Sequence, residues 1–600
     1  MEKQKTRDEI EEKYKWDLTT IYKTEDDFLK EYDEIKEKIN DISKYEELIN
    51  KDLTSLYDLL KFKYDLYYKV DKLFLYARSL YDTETYNEKY QEYFGKISNL
   101  YHDLSKATSY IEPSLFKYDY EDIKKEISRN PKLEEFKFVL ENTFREKEHT
   151  LSRIEEKLIS NLGKALDKSD ELFDIITDTD FTFGTIKDEN GKDVELTESN
   201  YVLYLESNDQ RVRKDAYDTL YKQYKQYRNT LSKTLSNHIN STIALSRIRK
   251  YDSVLDQELY NDNISKDVFN TLIDTVSNNL EPIYKYYRLK KEFLGYNELH
   301  FYDIYYSDSK YSKKYSYEEA KELCINTLEI LGSEYVNNIK KAFDERWIDV
   351  FNTKGKRGGG YSTGIKGTNP FILYNFEGTI EDVSGLIHEL GHSMHTLYSN
   401  ENNTFQDSFY TIFVGEVASI VNELLLANHI LEKSNSNEEK IAILTHLIDM
   451  YKATLFRQTM FQEFEHKMYE LASKDVILTS DLMSEEYLKL LKKYFGDTVV
   501  YDDNIKYEFL RIPHFYNNYY VYKYATGISY ATKIATDIIN NKENAKEKYI
   551  EFLKTGGSMY PMDELKIANV DVHDKNVYLN TINYFDKLVN DYKALIKKVK

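Results

Sequence analysis

The chain has 600 residues, with 83 Lys and Arg against 104 Asp and Glu, a formal charge of −21. Its length supports a large core, and 41% hydrophobic with 15% aromatic residues excludes a disordered protein. The acidic balance argues against nucleic-acid and anionic-membrane partners, because phosphates attract Lys and Arg.

Cys324 is the single cysteine, so no intrachain disulfide can form. That usage fits a reducing compartment, and the cytoplasm is the expected location. Only 20 Gly and 6 Pro interrupt the chain, which predicts long helices and a mainly α fold. The charged N-terminal segment MEKQKTRDEIEEKYKW has no apolar h-region, so no secretory signal is expected. The most apolar long segment, 411–431, is interrupted by Glu416, Asn422 and Glu423, so no transmembrane helix is expected either. The 57 Tyr, accompanied by many Lys, Asn and Ile, read as AT-rich codon usage.

Residues 1 to about 175 carry apolar residues at spacings of three and four, as at Leu56, Leu59, Leu60 and 62–64, and read as a helical scaffold. At 180–197 the pattern breaks. Two β-prone runs flank Asn190-Gly191, a type I′ turn signal, and predict a hairpin. The expected division is therefore a helical part with this hairpin, 1–198, and a second part, 199–600. Helical periodicity resumes to about 350, with Pro282 as its one breaker. Nine of the 20 glycines lie between 355 and 391, which makes GKRGGGYSTGIKGTNP a flexible loop. It contains no G-x-x-x-x-G-K-[ST], so it is not a P-loop. FILYNF at 371–376 reads as a strand. Beyond about 430 the chain is helical again, with an aromatic cluster, IPHFYNNYYVYKYATG, at 512–527.

His388-Glu389-Leu390-Gly391-His392 is H-E-x-x-H. About 0.02 chance matches are expected in a chain with this histidine content, so the motif is a strong signal. Thr379 and Asp382 have capping-box spacing, and Ile380, Val383, Leu386, Ile387 and Leu390 give an apolar face. On that helix His388 and His392 reach the same ion, at bonds of about 2.0–2.1 Å. Glu389, turned about 100° away, lies beside a metal without binding it, as a general base would. His395 lies on the same face but about 10.5 Å along the axis from His388, so it is expected to stand behind the ligands or to face substrate rather than to bind the ion. A third ligand must come from further on. Glu401, Asp407, Glu416 and Glu423 are candidates, and Glu416, Ser419 and Glu423 share one face of the next helix, which leaves the choice open.

H-E-L-G-H-S-M-H followed by F-V-G-E-V-A-S-I-V-N-E resembles the M3 metallopeptidases, specifically the oligoendopeptidase F group, related to thimet oligopeptidase and neurolysin. The resemblance runs along the chain. It includes Lys15-Trp16-Asp17-Leu18, Glu148-His149-Thr150-Leu151-Ser152, Arg211-Val212-Arg213, His300 to Tyr305 and Ile512 to Tyr516. It implies zinc ligands at His388, His392 and Glu416, a catalytic glutamate at Glu389, and transition-state residues at His514 and Tyr519, with a further tyrosine at Tyr522 or Tyr524. It also implies a two-lobed helical shell around a deep channel, with a small sheet beside the zinc helix.

The sequence therefore predicts a zinc endopeptidase for short peptides, with one Zn2+ per chain, in which residues 199–600 are the catalytic part. Gly358, Gly359, Gly360, Tyr522, Tyr524 and His395 are the expected substrate contacts. A zinc carboxypeptidase and a catalytically silent peptide-binding protein are the alternatives. The oligomeric state is not legible in the sequence.

Overall fold

In a computed structural model, the described residues are all but 1–3, 153, 157, 160, 161, 163–167, 307–310 and 600. Helices dominate. Taken along the chain, those the site depends on are α1 (Leu56–Thr83) and α2 (Glu88–Thr108), then α3 (Gln210–Gln226). After them come α4 (Ile380–Asn402), α5 (Val417–Lys433), α6 (Gln458–Ser473), α7 (Tyr522–Ile539) and α8 (Ala545–Thr555). The strands are short: β1 (Thr185–Lys187), β2 (Asp193–Glu195), β3 (Ile348–Asp349), β4 (Tyr361–Thr363) and β5 (Phe371–Leu373).

The chain forms two compact units, each assembled from three separated stretches. The first takes Met1–Thr150, Ser312–His429 and Ile534–Val570; the second takes Leu151–Tyr311, Ile430–Lys533 and Asp571–Lys600. Neither unit coincides with a division at 198.

In the first unit the three-and-four spacing does what the pattern requires. Leu56, Leu59, Leu60, Leu66, Val70 and Leu73 of α1 are all at most 3% exposed. They pack with Ile97, Leu100 and Leu104 of α2 and with Phe371 and Leu373 of the sheet in one core. That sheet has the order β3-β5-β4, with β3 parallel and β4 antiparallel to the central β5. The 371–376 strand is thus shorter than the sequence suggests, and β4, an edge of the sheet, forms inside the 355–370 stretch that the sequence reads as a flexible loop.

In the second unit the hairpin forms as expected, with Lys187 opposite Asp193. Its turn differs from type I′. Only Gly191 has positive φ, at 77°, while Asp188 accepts the Gly191 N–H and its side chain holds Asn190 N and Lys192 N. A type I′ turn needs two left-handed residues, and Asn190 is not one. Pro282 starts a helix, Glu281–Leu294, instead of breaking one. On α3, Arg213 and Asp303 form an ion pair at 2.9 Å with neither side chain exposed. Arg213 also donates to Ser207 O and Tyr296 Oη, so the buried charge is fully partnered.

Residues Ile412–Lys433 have the length and hydropathy of a membrane span, yet 72% of that window is buried inside the protein. Ile412 is exposed, whereas Val414, Val417, Val421, Leu424 and Leu426 are buried.

Candidate metal and catalytic site

The motif helix α4 begins as its sequence dictates. Thr379 Oγ1 accepts the Asp382 N–H at 3.1 Å and Asp382 Oδ2 accepts the Thr379 N–H at 2.8 Å, closing the capping box. Ile380, Val383, Leu386, Ile387 and Leu390 are buried at 4% exposure or less. Gly391 allows the next helix to cross here. A Cβ on it would lie 2.6 Å from Ser419 Cα and 2.7 Å from Ala418 O, so backbone meets backbone.

That crossing delivers Glu416. The apolar run 412–433 is not one helix: a single turn, Ile412–Gly415, ends at Glu416, and α5 starts at Val417. At this joint Glu416 Oε2 comes 3.4 Å from His388 Nε2 and 3.7 Å from His392 Nε2, and the two ring nitrogens are 3.2 Å apart. Three donors held at about 2.0–2.1 Å in a tetrahedron are separated by about 3.3–3.4 Å. The triangle is therefore the face of a tetrahedral metal site, and it is the one such group among the described residues.

Surrounding groups orient the three donors. His388 Nδ1 donates to Glu423 Oε1 at 2.6 Å, which leaves the Nε2 lone pair for a metal. Ser384 donates to the other Glu423 oxygen at 3.2 Å. Ser419 donates to Glu416 Oε2 at 3.3 Å, and His392 bonds the Gly415 backbone. Glu423 is thus an orienting residue, whereas Glu416 faces both imidazoles.

Glu389 is 8% exposed, and its Oε2 has no hydrogen-bond partner among the described residues. Burial pushes its carboxyl up to about 7; His388 opposes this, and the charges of Glu416 and Glu423 add to it. The cluster carries more negative charge than its own groups balance, which is what a divalent cation would offset. Gly360, the residue before β4, lies beside Glu389: a methyl on it would lie 3.4 Å from Glu389 Oε1 and 2.9 Å from the Tyr374 ring. Gly358 and Gly359 are exposed, and Asn375 Nδ2 holds Gly359 O at 2.8 Å. The loop is tied to α1 as well, since buried Asp82 accepts Tyr361 Oη at 2.8 Å and Arg357 Nη1 at 3.3 Å.

His395 differs from expectation. It is fully buried, its ring stacked on Tyr410 at 3.7 Å and 3°, so it packs in the core and does not face substrate. Burial, with the His392 charge, pulls its pKa down to about 3 and keeps it neutral.

The aromatic cluster belongs to the second unit. Here Tyr519 and Tyr522 are 2% and 0% exposed. Tyr519 Oη is 3.0 Å from His466 Nδ1, and its ring stacks on Tyr469. Both are interior residues, contrary to the roles the resemblance implies for them. Half-exposed Tyr520 and Tyr524 flank half-exposed His514 instead, with ring centroids 6.3 Å and 6.2 Å from it, and Tyr524 Oη donates to Tyr520 Oη at 3.4 Å. Counting five residues on from His514 misses this, because Tyr519 is left-handed at φ 49° and α7 starts only at Tyr522.

The sequence profile described as Peptidase family M3 matches residues 203–584. The chain belongs to this family. A second profile, Oligopeptidase F, matches 115–183. The chain is 36% identical over 595 residues to the Oligopeptidase PepF of Bacillus subtilis, covering 99% of this chain and 89% of that protein. It is 35% identical over 592 residues to the Group B oligopeptidase PepB of Streptococcus agalactiae, covering 99% and 98%. The crystal structure of oligoendopeptidase-F from Enterococcus faecium superposes with a TM-score of 0.76 at 31% identity, covering 96% of this chain and 99% of that one. This M3 chain is accordingly a mainly α metalloendopeptidase of the oligoendopeptidase F type, acting on oligopeptides.

Proposed function

We propose that the chain is a zinc endopeptidase that hydrolyses internal bonds of short peptides, with Glu389 as its general base. The observation that carries this is the triangle of His388, His392 and Glu416 with a partnerless, buried Glu389 oxygen beside it. Two imidazoles and one carboxylate are the donor set of a catalytic zinc site with one open position. Zinc held there would supply Lewis acidity to the scissile carbonyl and to water. Glu389, pushed towards neutral pH by its surroundings, takes a proton from the attacking water and returns it to the leaving amine nitrogen.

An extended peptide can add to the free edge of β4, with Gly358, Gly359 and Gly360 offering backbone without side chains in the way. For the oxyanion, the reading keeps His514 from the family resemblance and takes Tyr520, with Tyr524 behind it, in place of Tyr519. The cytoplasm is the compartment we propose, on the single Cys324, which is buried.

The test is zinc content and peptide turnover of Glu389→Gln, followed by mass spectrometry of the wild-type products. Zinc retained with turnover lost, and cuts at internal bonds, support the reading. Near wild-type turnover in the variant refutes the general base. Release of single C-terminal residues favours a carboxypeptidase, and no cleavage favours a silent peptide binder.

A further inference from the structure

The tyrosine turn that precedes α7 is held from one side by a single helix. Gln462, Glu465, His466 and Tyr469 lie at i, i+3, i+4 and i+7 on α6 and so share one face. Each reaches the segment 518–522. Glu465 Oε1 accepts the Tyr519 N–H at 2.7 Å, and Gln462 Oε1 accepts the Tyr522 N–H at 3.2 Å. Between them, Gln462 Nε2 donates to Glu465 Oε2 at 2.9 Å. His466 meets the Tyr519 hydroxyl, and Tyr469 Oη donates to Asn518 Oδ1 at 2.5 Å.

Gln462 is 0% and Glu465 3% exposed, so both are costly groups that a packing role alone would replace with leucine. Their partners are main-chain amides that no regular structure satisfies. Tyr522 N is in the first turn of α7, where amides have no intrahelical partner. Tyr519 N belongs to a residue forced left-handed, a conformation that costs free energy unless its surroundings impose it. Tyr520 lies between the two gripped residues, and Tyr524 follows in the first turn of α7.

We infer that Gln462 and Glu465 act as a two-residue clamp on the main chain, positioning Tyr520 and Tyr524 beside His514 for catalysis. The inference rests on the oxyanion reading given above. Neither residue touches substrate; both act through the backbone. The clamp needs a fixed order of donors and acceptors. Burial pushes the Glu465 carboxyl up to about 8, while its two N–H donors favour the carboxylate; as the carboxylate Glu465 accepts twice, and Gln462 accepts once and donates once. Glu465→Gln sets two amide nitrogens against each other, or, if Gln462 flips, leaves Tyr522 N facing a donor. Gln462→Glu sets two carboxylates 2.9 Å apart. The double exchange Gln462→Glu with Glu465→Gln restores every hydrogen bond. The carboxylate at 462 then accepts from Tyr522 N and from the amide at 465, whose oxygen accepts from Tyr519 N.

The experiment measures kcat, KM, zinc content and thermal midpoint for the two single variants, the double exchange and Tyr520→Phe. Each single variant should lose about tenfold or more in kcat, with KM and zinc little changed, as expected when a transition-state contact is misplaced. The double exchange should recover to within about threefold of wild type. Tyr469→Phe, which deletes one hydrogen bond to Asn518, gives a milder version of the same kcat loss if Glu465→Gln does not fold. Wild-type kcat in the single variants while Tyr520→Phe is slow overturns the clamp and leaves the oxyanion reading standing. A double exchange no better than the singles overturns it too. Wild-type kcat in Tyr520→Phe removes the oxyanion reading, and the clamp's catalytic role with it.

Discussion

Gly391 is the residue on which the metal geometry turns, and Gly391→Ala tests that. The new methyl would lie 2.6 Å from Ser419 Cα, 2.7 Å from Ala418 O and 2.8 Å from Ser419 N. All three are backbone atoms of α5, so no side chain can swing aside. Restoring ordinary contact at 3.4 Å means opening the crossing by about 0.8 Å. Glu416 sits three residues before Ser419, and a shift of that size carried to it would stretch the 3.4 Å edge to His388 towards about 4.2 Å. A zinc face of about 3.3–3.4 Å tolerates changes of only about 0.2 Å per bond. Overpacking should cost about 1–3 kcal/mol of stability. Zinc affinity should fall by at least about tenfold, as it does when ligands lose their supports. Gly415→Ala is the control, because a Cβ there meets nothing within 4 Å although the residue adjoins Glu416. Competition with a chromogenic chelator gives the affinity, and calorimetry with and without chelator gives the stability. Wild-type zinc affinity in Gly391→Ala refutes the reasoning, as does an equal loss in both variants.

Metal analysis of Glu416→Ala and Glu423→Ala should separate ligand from support: the first loses zinc, while the second keeps it with affinity reduced about 10–100-fold. Steady-state kinetics of Tyr520→Phe should show kcat down about 10²–10³-fold with zinc intact, whereas Tyr519→Phe should keep its turnover and lose about 1 kcal/mol of stability from the bond to His466. Denaturant melts of Asp303→Ala should show a loss of about 3–5 kcal/mol, because Arg213 would remain charged and buried without its partner.

What could be read from the sequence was what short-range chemistry decides. The capping box at Thr379, the two histidines one turn apart and the turned-away Glu389 follow from helix geometry, and all three are as spaced in the fold. Gly391 also stood inside the motif, but which backbone it admits depends on a helix beginning 26 residues later. Glu416 and Glu423 were inseparable, because the apolar pattern runs unbroken through a joint that only tertiary packing creates at Glu416. The same limit hid which tyrosines flank His514. Tyr519 is left-handed, and its N–H is held by Glu465, more than 50 residues earlier in the chain. His395 looked like a site residue because its spacing is right, yet Tyr410 and Phe552 claim its ring.

The interleaved build of the first unit has a consequence for how the enzyme is made. The helix α4 packs against α8: Asn403 Nδ2 donates to Lys554 O, and Gly556 fits against Ser399 so closely that a Cβ would lie 2.1 Å from its hydroxyl. All ligands of the triangle have left the ribosome well before α8 has. At about 5–20 residues per second, the stretch from Glu416 to Thr555 takes several seconds to some tens of seconds to synthesise. Through that interval the motif helix lacks one of its walls, and a nascent chain has no finished protease to turn on itself or on neighbouring chains. The order of segments along the gene thus acts as a delay on activity.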